Sequence, residues 1–392
     1  MAYRILSLDG GGTWALIEVK ALMKIYGNNA RGHDVLRDFD LVAANSGGSI
    51  VAAALACDFQ LQEILGYFKD PAMRAKIFAP LPWYSKLNPV GWFLPAPKYD
   101  ASAKLHGLRN AFATAKVAGG DMPLEQLPGL WGGKPDLIFA SFDYDRERAV
   151  MFRTNPNSPA HSGAPRIPAT LAEAVHASTN APLKYFDQPA MFANRRFWDG
   201  AMAGLNNPIL IGVAEALACN GPAARGEIKV RSLGTGSVFL PLQGAPAPLV
   251  QPRMKQNYFK DLEKTAGCIL DDPPDEATFM AYAMLDGRFA PPFPIASDIV
   301  VRMSPLIQPV RKAEGSWQLP GADLPQPPLT VDDFNQLVAL GLDPDAAGVE
   351  LIERFCNAWL NDLVPNQPIR ANSDTLVCEI GHARFSAAKR VW

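Results

Sequence analysis

The chain contains 392 residues, of which 48% are hydrophobic and 19% are charged, and its formal net charge is −2. This composition is typical of a globular protein with a large buried core, and the charge offers no electrostatic basis for binding nucleic acid. The five cysteines have no paired spacing, which predicts a reducing, cytoplasmic environment. We expect no signal peptide, transmembrane helix or metal site, because none of the corresponding sequence patterns is found.

Short apolar runs alternate with segments of helical periodicity, which predicts an α/β fold with a mostly parallel central sheet flanked by helices. The predicted strands are 3–8, 39–44, 136–141, 149–153, 195–198, 228–233 and 298–303. The predicted helices are 14–26, 48–57, 60–69, 101–114, 168–178, 208–219, 252–267 and 275–287. Functional residues of such sheets lie beyond the carboxyl ends of the strands, so the segments that follow the first strands are candidates.

The first strand is followed by Asp9-Gly10-Gly11-Gly12, directly before a predicted helix. Glycines allow several backbone N–H groups to face one side, and together with a helix N-terminus they stabilise negative charge. The same residues fit a permissive dinucleotide-binding fingerprint and a phosphate loop of actin-like kinases. A nucleotide- or phosphate-ligand-binding module and a simple tight turn are therefore alternatives at this loop.

The second strand leads into Ala44-Asn45-Ser46-Gly47-Gly48 and then into a helix of small residues. A serine on a sharp strand-to-helix turn is the geometry of a nucleophile elbow, which lifts the hydroxyl clear of the sheet. The strict elbow pattern is G-x-S-x-G, and alanine occupies the first glycine position here. The alternative is an ordinary loop in which Asn45 or Ser46 caps the helix.

A third feature is Phe197-Trp198-Asp199-Gly200-Ala201, at the end of a predicted strand. An acidic residue between an aromatic strand and a glycine turn is a usual position for a catalytic base. The commoner role of an Asp-Gly pair is a turn in which the aspartate satisfies its own backbone. Asp199 is therefore a candidate base with a structural alternative.

These three segments, in this order and at these spacings, resemble the patatin-like phospholipase family. The landmarks of that family are a D-G-G-G loop, a G-x-S-x-G elbow and a distal D-G-[GA]. Residues 174–186 and 232–236 also look like later segments of the family. The resemblance extends from the N-terminus to about residue 240, and more weakly to about residue 305.

The resemblance implies a three-layer α/β/α lipid acyl hydrolase that cleaves carboxylic esters of lipids and phospholipids, contributes to lipid breakdown and needs no cofactor. Ser46 would be the nucleophile, Asp199 the general base, and Gly10, Gly11 and Gly12 the donors of an oxyanion hole. Because an aspartate of ordinary pKa, about 4, is a weak base near pH 7, we expect burial to raise the pKa of Asp199. A catalytically weak relative that senses lipid is a further alternative.

A histidine-based triad is the rival arrangement within hydrolases. In the order Ser-Asp-His, His382 alone of the five histidines follows Asp199. His176 lies in a helical stretch and is expected to be packed or capping, and His161 is expected in a loop.

Two further segments bear on organisation. Residues 77–97 combine five aromatic residues with five prolines, which favours either a membrane-facing lid or a loop packed on the body. We divide the chain into a hydrolase domain at 1–310, a Pro/Gly-rich linker or ordered loop at 311–329, and a C-terminal helical extension at 330–392.

Overall fold

The fold is described from a computed structural model. It describes residues 2–81, 97–115, 119–161, 166–182, 185–238, 273–287, 294, 296–307, 310–311, 317–318, 329–372 and 377–392. Most of the aromatic segment 77–97, the predicted helix 252–267 and most of the linker 311–329 lie outside the described residues.

All seven predicted strands are present among the described residues, together with seven short strands that the sequence analysis did not predict. In chain order they are β1 (Tyr3–Leu8), β2 (Leu41–Ala44), β3 (Asp136–Asp143), β4 (Arg148–Arg153), β5 (Ala190–Phe192), β6 (Arg195–Asp199), β7 (Ile228–Leu233), β8 (Ser237–Val238), β9 (Val300–Met303), β10 (Leu306–Ile307), β11 (Val310–Arg311), β12 (Trp317–Gln318), β13 (Ile369–Asn372) and β14 (Val377–Ile380). Eight of them form one sheet in the order β5-β6-β3-β2-β1-β7-β9, with β4 also paired to β3. Strands β3, β2, β1, β7 and β9 run parallel, whereas β4, β5 and β6 are antiparallel to their neighbours.

The helices cover both faces of this sheet. In chain order they are α1 (Leu16–Tyr26), α2 (Gly32–Leu36), α3 (Ser46–Ala56), α4 (Leu61–Lys69), α5 (Pro71–Ile77), α6 (Ala101–Ala113), α7 (Leu171–Ser178), α8 (Ile209–Asn220), α9 (Pro273–Asp286), α10 (Val331–Ala339), α11 (Ala346–Leu360) and α12 (Phe385–Lys389). Across the described part of the chain, no helix has the length and apolar character needed to span a bilayer.

Alternation along β1 divides the core into two clusters. Leu6 and Leu8 face one side and pack with helices that include α1, α3, α4 and α7. Ile5 faces the other side and packs with α8 and α9. Because successive side chains of a strand point to opposite faces, each face of the sheet buries a separate helical layer. The predicted mostly parallel sheet flanked by helices is confirmed.

The register of the strands brings the candidate segments to one edge. Leu8 at the end of β1 pairs with Ala44 at the end of β2 and with Leu233 at the end of β7. Strand β6 runs antiparallel to β3, and its last residue, Asp199, pairs with Ser141. The chain therefore leaves β1 and β2 at the same edge that β6 reaches from the opposite direction.

The C-terminal residues pack directly on the main body. Phe355 and Trp359 of α11 belong to the same hydrophobic cluster as Leu6 and Leu8. Besides its helices, this part contains the hairpin β13–β14, which the sequence did not predict. Ile369 and Ile380 of the hairpin pack in the cluster on the opposite face, so tertiary burial rather than a long apolar run stabilises these short strands.

We predict that Gly107→Ala destabilises the fold by about 1–3 kcal/mol through overpacking. A Cβ at Gly107 would overlap the backbone carbonyl oxygen of Lys76, where α6 crosses α5. Urea unfolding measures the effect. The matched control is Gly129→Ala, whose Cβ would meet no atom within 4 Å. Equal unfolding midpoints for the two variants would contradict this account of the helix contact.

Candidate active site

Ser46 is the first residue of α3, and Asn45 alone separates it from β2. Its φ is 46°, in the left-handed region that residues with a side chain rarely adopt. Asn45 is extended and makes no side-chain capping hydrogen bond, so the capping alternative is not observed. A serine held in a strained turn between a strand and a helix has the geometry of a nucleophile elbow.

The residues after Ser46 are small because the helix begins against the neighbouring backbone. A Cβ at Gly47 would lie 2.6 Å from the carbonyl oxygen of Gly12. A Cβ at Gly48 would lie 2.5 Å from the carbonyl oxygen of Leu8. Both distances are shorter than van der Waals contact, so these two positions require glycine for α3 to start where it does.

Asp199 lies beside this turn and is buried, with 2% of its surface exposed. Its Oδ1 accepts hydrogen bonds from the Nδ2 of Asn45 at 3.1 Å and from the N–H of Ala201 at 2.9 Å. Burial raises the pKa of the Asp199 carboxyl, against the opposing effect of these bonds and of one from the Ser46 side chain. The expected rise in pKa is confirmed. The bond from Ala201 also gives Asp199 the turn role that an Asp-Gly pair favours.

Lys104 is a buried lysine near Asp199 that the sequence reasoning missed. Its Nζ donates to the carbonyl oxygen of His176 at 3.2 Å and to Oγ1 of Thr179 at 3.1 Å. It also lies 3.9 Å from the centre of the Phe186 ring. Burial lowers the pKa of Lys104 well below its ordinary value, although the charge of Asp199 opposes this. In return, the charge of Lys104 lowers the pKa of Asp199.

A signal for Lys104 exists in the sequence. The residue lies between Ala101 and Leu108 at helical spacing, on the face of α6 that is buried. A lysine on the apolar face of an amphipathic helix is unusual, because an unpaired buried ammonium is costly. This placement could have identified it as a candidate site residue.

The glycine loop differs from the expectation at one position. The N–H of Gly10 donates to the carbonyl oxygen of Asn206 at 2.7 Å, so it does not face a substrate in this structure. The N–H groups of Gly11 and Gly12 have no acceptor within the described part of the chain. The same is true of Gly47, the residue after the serine, which the sequence reasoning missed although an elbow commonly uses that N–H for an oxyanion.

A buried ion pair anchors the first residue of the glycine loop, Asp9. Nη2 of Arg302 lies 2.5 Å from Oδ2 of Asp9, and both side chains are almost completely buried. The N–H of Asp9 donates to Oε1 of Glu18 at 2.7 Å. Burial raises the pKa of Glu18 well above its ordinary value, and the charge of Asp9 adds to that rise. Arg302, on β9, is thereby the cation that holds the start of the loop.

The histidine triad is not formed. Nε2 of His382 lies 3.2 Å from the carbonyl oxygen of Ser297, in a different contact. His176 is packed, as expected, and burial lowers its pKa well below the ordinary value. Among histidine side chains that the structure describes, none hydrogen-bonds to Ser46 or Asp199.

One pocket is lined by Ser46 and by two of the residues whose N–H groups have no acceptor, Gly12 and Gly47. It opens to solvent. Its lining is mostly apolar and consists of Gly12, Ser46, Gly47, Ile50, Ile77, Phe78, Thr179, Ala181, Tyr185, Phe186 and Leu342. In the ranges that the structure describes, no cluster of three or more His, Cys, Asp or Glu residues is arranged to hold a metal ion.

Comparison with known proteins gives several relatives of low identity. A cGAMP-activated phospholipase of Pseudomonas aeruginosa is 25% identical over 244 residues, which span 62% of this chain and 65% of that protein. The protein CotR of Bacillus subtilis is 24% identical over 293 residues, which span 73% of this chain and 80% of that protein. Among solved structures, VipD from Legionella pneumophila aligns over 91% of this chain and 67% of its own, with 10% identity and a TM-score of 0.36.

A family comparison covers the strands and loops that build the site. The model of the patatin-like phospholipase family matches residues 6–213, which is more than half of the 392 residues. The matched range includes the glycine loop, the Ser46 turn and Asp199. The chain belongs to the patatin-like phospholipase family.

Proposed function

We propose that this protein is a lipid acyl hydrolase that cleaves carboxylic esters through an acyl-enzyme on Ser46. The observation that carries the proposal is the placement of Ser46: its side chain hydrogen-bonds to the buried carboxyl of Asp199, and it shares a pocket with Gly12 and Gly47, whose N–H groups have no acceptor within the described part of the chain. Membership of the family supports the same class of reaction.

In the first step, Asp199 accepts the hydroxyl proton as Oγ of Ser46 attacks the ester carbonyl carbon. A carboxylate of raised pKa is a better base for this transfer than an exposed one. The proton then passes from Asp199 to the oxygen of the departing alcohol as the C–O bond breaks. Water releases the acyl group by the reverse use of the same carboxylate.

The negative charge on the carbonyl oxygen needs donors that are already in place. The N–H groups of Gly12 and Gly47 border the pocket beside Ser46, and Gly11 precedes them on the same loop. Donors of this kind contribute about 100- to 1000-fold each to the rate. We therefore assign the oxyanion hole to Gly11, Gly12 and Gly47, and assign Gly10 to the support of the loop.

The pocket favours an acyl chain as the group next to the carbonyl. Apart from Ser46 and Thr179, its side chains are aliphatic or aromatic. An apolar lining with a few convergent polar groups is typical of a site for a small apolar ligand. The relative from Pseudomonas aeruginosa is named a phospholipase. We infer a phospholipid ester as the substrate class.

Approach to a lipid surface would use the aromatic segment 77–97. Its first residues, Ile77 and Phe78, already line the pocket. We infer a membrane contact for Trp83 and Trp92 of this segment, because tryptophan favours a membrane interface. Replacing Trp83 and Trp92 by alanine should weaken binding to phospholipid vesicles while sparing hydrolysis of p-nitrophenyl acetate. An equal loss on both measurements would assign the tryptophans to packing.

We predict that Ser46→Ala and Asp199→Asn each reduce ester hydrolysis at least 1000-fold, because each removes a group that the covalent step requires. Hydrolysis of p-nitrophenyl esters gives the rates, and intact mass gives the adduct with a fluorophosphonate. Wild type should form the adduct and Ser46→Ala should not. Near-wild-type turnover by Asp199→Asn, in a folded protein, would exclude Asp199 as the base.

The pH profile should report the environment of Asp199. Because burial raises its pKa, the acid limb of kcat/KM should lie above the ordinary aspartate pKa of about 4. Asn45→Ala removes a hydrogen bond that lowers this pKa, so its acid limb should move to higher pH. Asn220→Ala, on the surface of α8, is the control that should leave the limb in place. An acid limb that stays at the wild-type pH in Asn45→Ala would show that a group other than Asp199 titrates there.

Stability should also depend on this carboxyl. A folded-state pKa above the unfolded value means that the folded protein binds the proton more tightly, so Asp199 costs stability once pH rises above the unfolded pKa of about 4. Asp199→Asn should therefore melt at or above the wild-type temperature at pH 7, with a difference that shrinks toward pH 4. Thermal melts test this, with the exposed Asp332→Asn as control. A large loss of stability at pH 7 would contradict it.

A further inference from the structure

One wall of the pocket comes from residues 340–345, the loop between α10 and α11. Leu342 of this loop lines the same pocket as Ser46 and Gly47. The loop lies beyond residues 6–213, the range that the family model matches. The family segment therefore supplies the reacting groups, and a later part of this chain completes the cavity around them.

Backbone hydrogen bonds fix the position of Leu342. Its carbonyl oxygen accepts from the N–H of Thr13 at 2.8 Å, and its own N–H donates to the Oη of Tyr185 at 3.2 Å. The carbonyl oxygen of the preceding Gly341 accepts from Nε1 of Trp14 at 3.2 Å. The loop is thus hydrogen-bonded both to the two residues that follow the glycines and to Tyr185, another residue of the pocket lining.

Asp343 anchors the other side of the loop. Its Oδ2 accepts from the Oη of Tyr99 at 2.8 Å, and its Oδ1 lies 3.6 Å from Nε of Arg74. Arg74 belongs to α5, the helix that ends at Ile77 in the pocket wall. The loop therefore connects two walls of the pocket, and its place is set by partners on separate elements.

Leu342 also touches the proposed oxyanion hole. A Cβ at Gly12 would lie 2.5 Å from the carbonyl oxygen of Leu342 and 2.8 Å from its Cβ. Leu342 therefore packs directly against the backbone of Gly12, whose N–H is a proposed donor to the substrate oxygen. An acyl group bound at Ser46 would occupy the space between Leu342 and the apolar residues Ile50 and Phe186.

Resting on the proposed function, we propose that Leu342 is a specificity-determining residue that limits the size of the acyl group accepted next to the scissile carbonyl. Leu342→Ala removes side-chain volume from the wall without changing the backbone bonds of the loop. Leu342→Trp adds volume at the same place. One methylene group in an apolar pocket changes kcat/KM by about 10- to 200-fold, so either substitution should alter chain-length preference measurably.

The test compares kcat/KM of the full chain for p-nitrophenyl acetate, butyrate, octanoate and laurate. In Leu342→Ala the ratio of kcat/KM for octanoate to that for acetate should rise by about tenfold or more, and in Leu342→Trp it should fall by a similar factor. The matched control is Leu363→Ala, at an exposed leucine of the same C-terminal part, which should keep the wild-type ratio. Melting temperatures show that each variant is folded.

Four outcomes separate the possibilities. A changed ratio in the two Leu342 variants, with the control unchanged, supports the inference. A uniform loss on every ester would show that Leu342 acts only by holding the glycine loop, and would overturn the specificity role. If the wild type shows neither turnover nor fluorophosphonate labelling, both the proposed function and this inference are overturned. If the wild type is active and labelled but the ratio is unchanged in Leu342→Ala, the inference alone is overturned.

Discussion

The first turn of α3 packs at backbone contact distance against the end of β1 and the glycine loop. This contact exists because Gly47 and Gly48 have no side chains: a Cβ at either position would lie 2.6 Å or less from a backbone carbonyl oxygen. It holds Ser46 in a left-handed conformation that an ordinary helix start would not use. It also places the N–H of Gly47 beside that of Gly12 at the pocket. Both the proposed nucleophile and its proposed oxyanion donors therefore depend on one close approach.

Buried ionisable side chains surround this contact, and two of the carboxylates have partners that offset their burial. Asp9, at the start of the glycine loop, is paired with Arg302, and Asp199 accepts hydrogen bonds from two elements while Lys104 lies near enough to affect its pKa. A buried charge without such partners would cost several kcal/mol. Burial nevertheless prevails at Asp199 and raises its pKa, which is the change that a carboxylate base requires. The raised pKa of Asp199 therefore depends on a buried environment, which a small or open domain would not provide.

Two parts of the chain contribute residues to the site. Residues 6–213 match the family and include the glycine loop, the serine turn and Asp199. Arg302 and Leu342 lie beyond that range. Arg302 is paired with Asp9 at the start of the glycine loop, and Leu342 lines the pocket. The proposed reacting groups thus lie within the family range, while Leu342 adds a residue from the later part of this chain to the pocket. The cluster that joins Phe355 and Trp359 to β1 fixes that later part in place.

The amino-acid sequence by itself determined the main strands and helices, the mostly parallel sheet, and Ser46, Asp199 and the glycine loop as candidates, because apolar periodicity and short turns are local properties of the chain. Only the tertiary structure decided which N–H groups are open, since the donor of Gly10 is taken by Asn206, a residue far along the chain. The same holds for Lys104, Arg302 and Leu342: their roles come from contacts with residues distant in sequence. Hydrogen-bond partners, burial and pocket walls depend on which segments meet, and local pattern does not specify that.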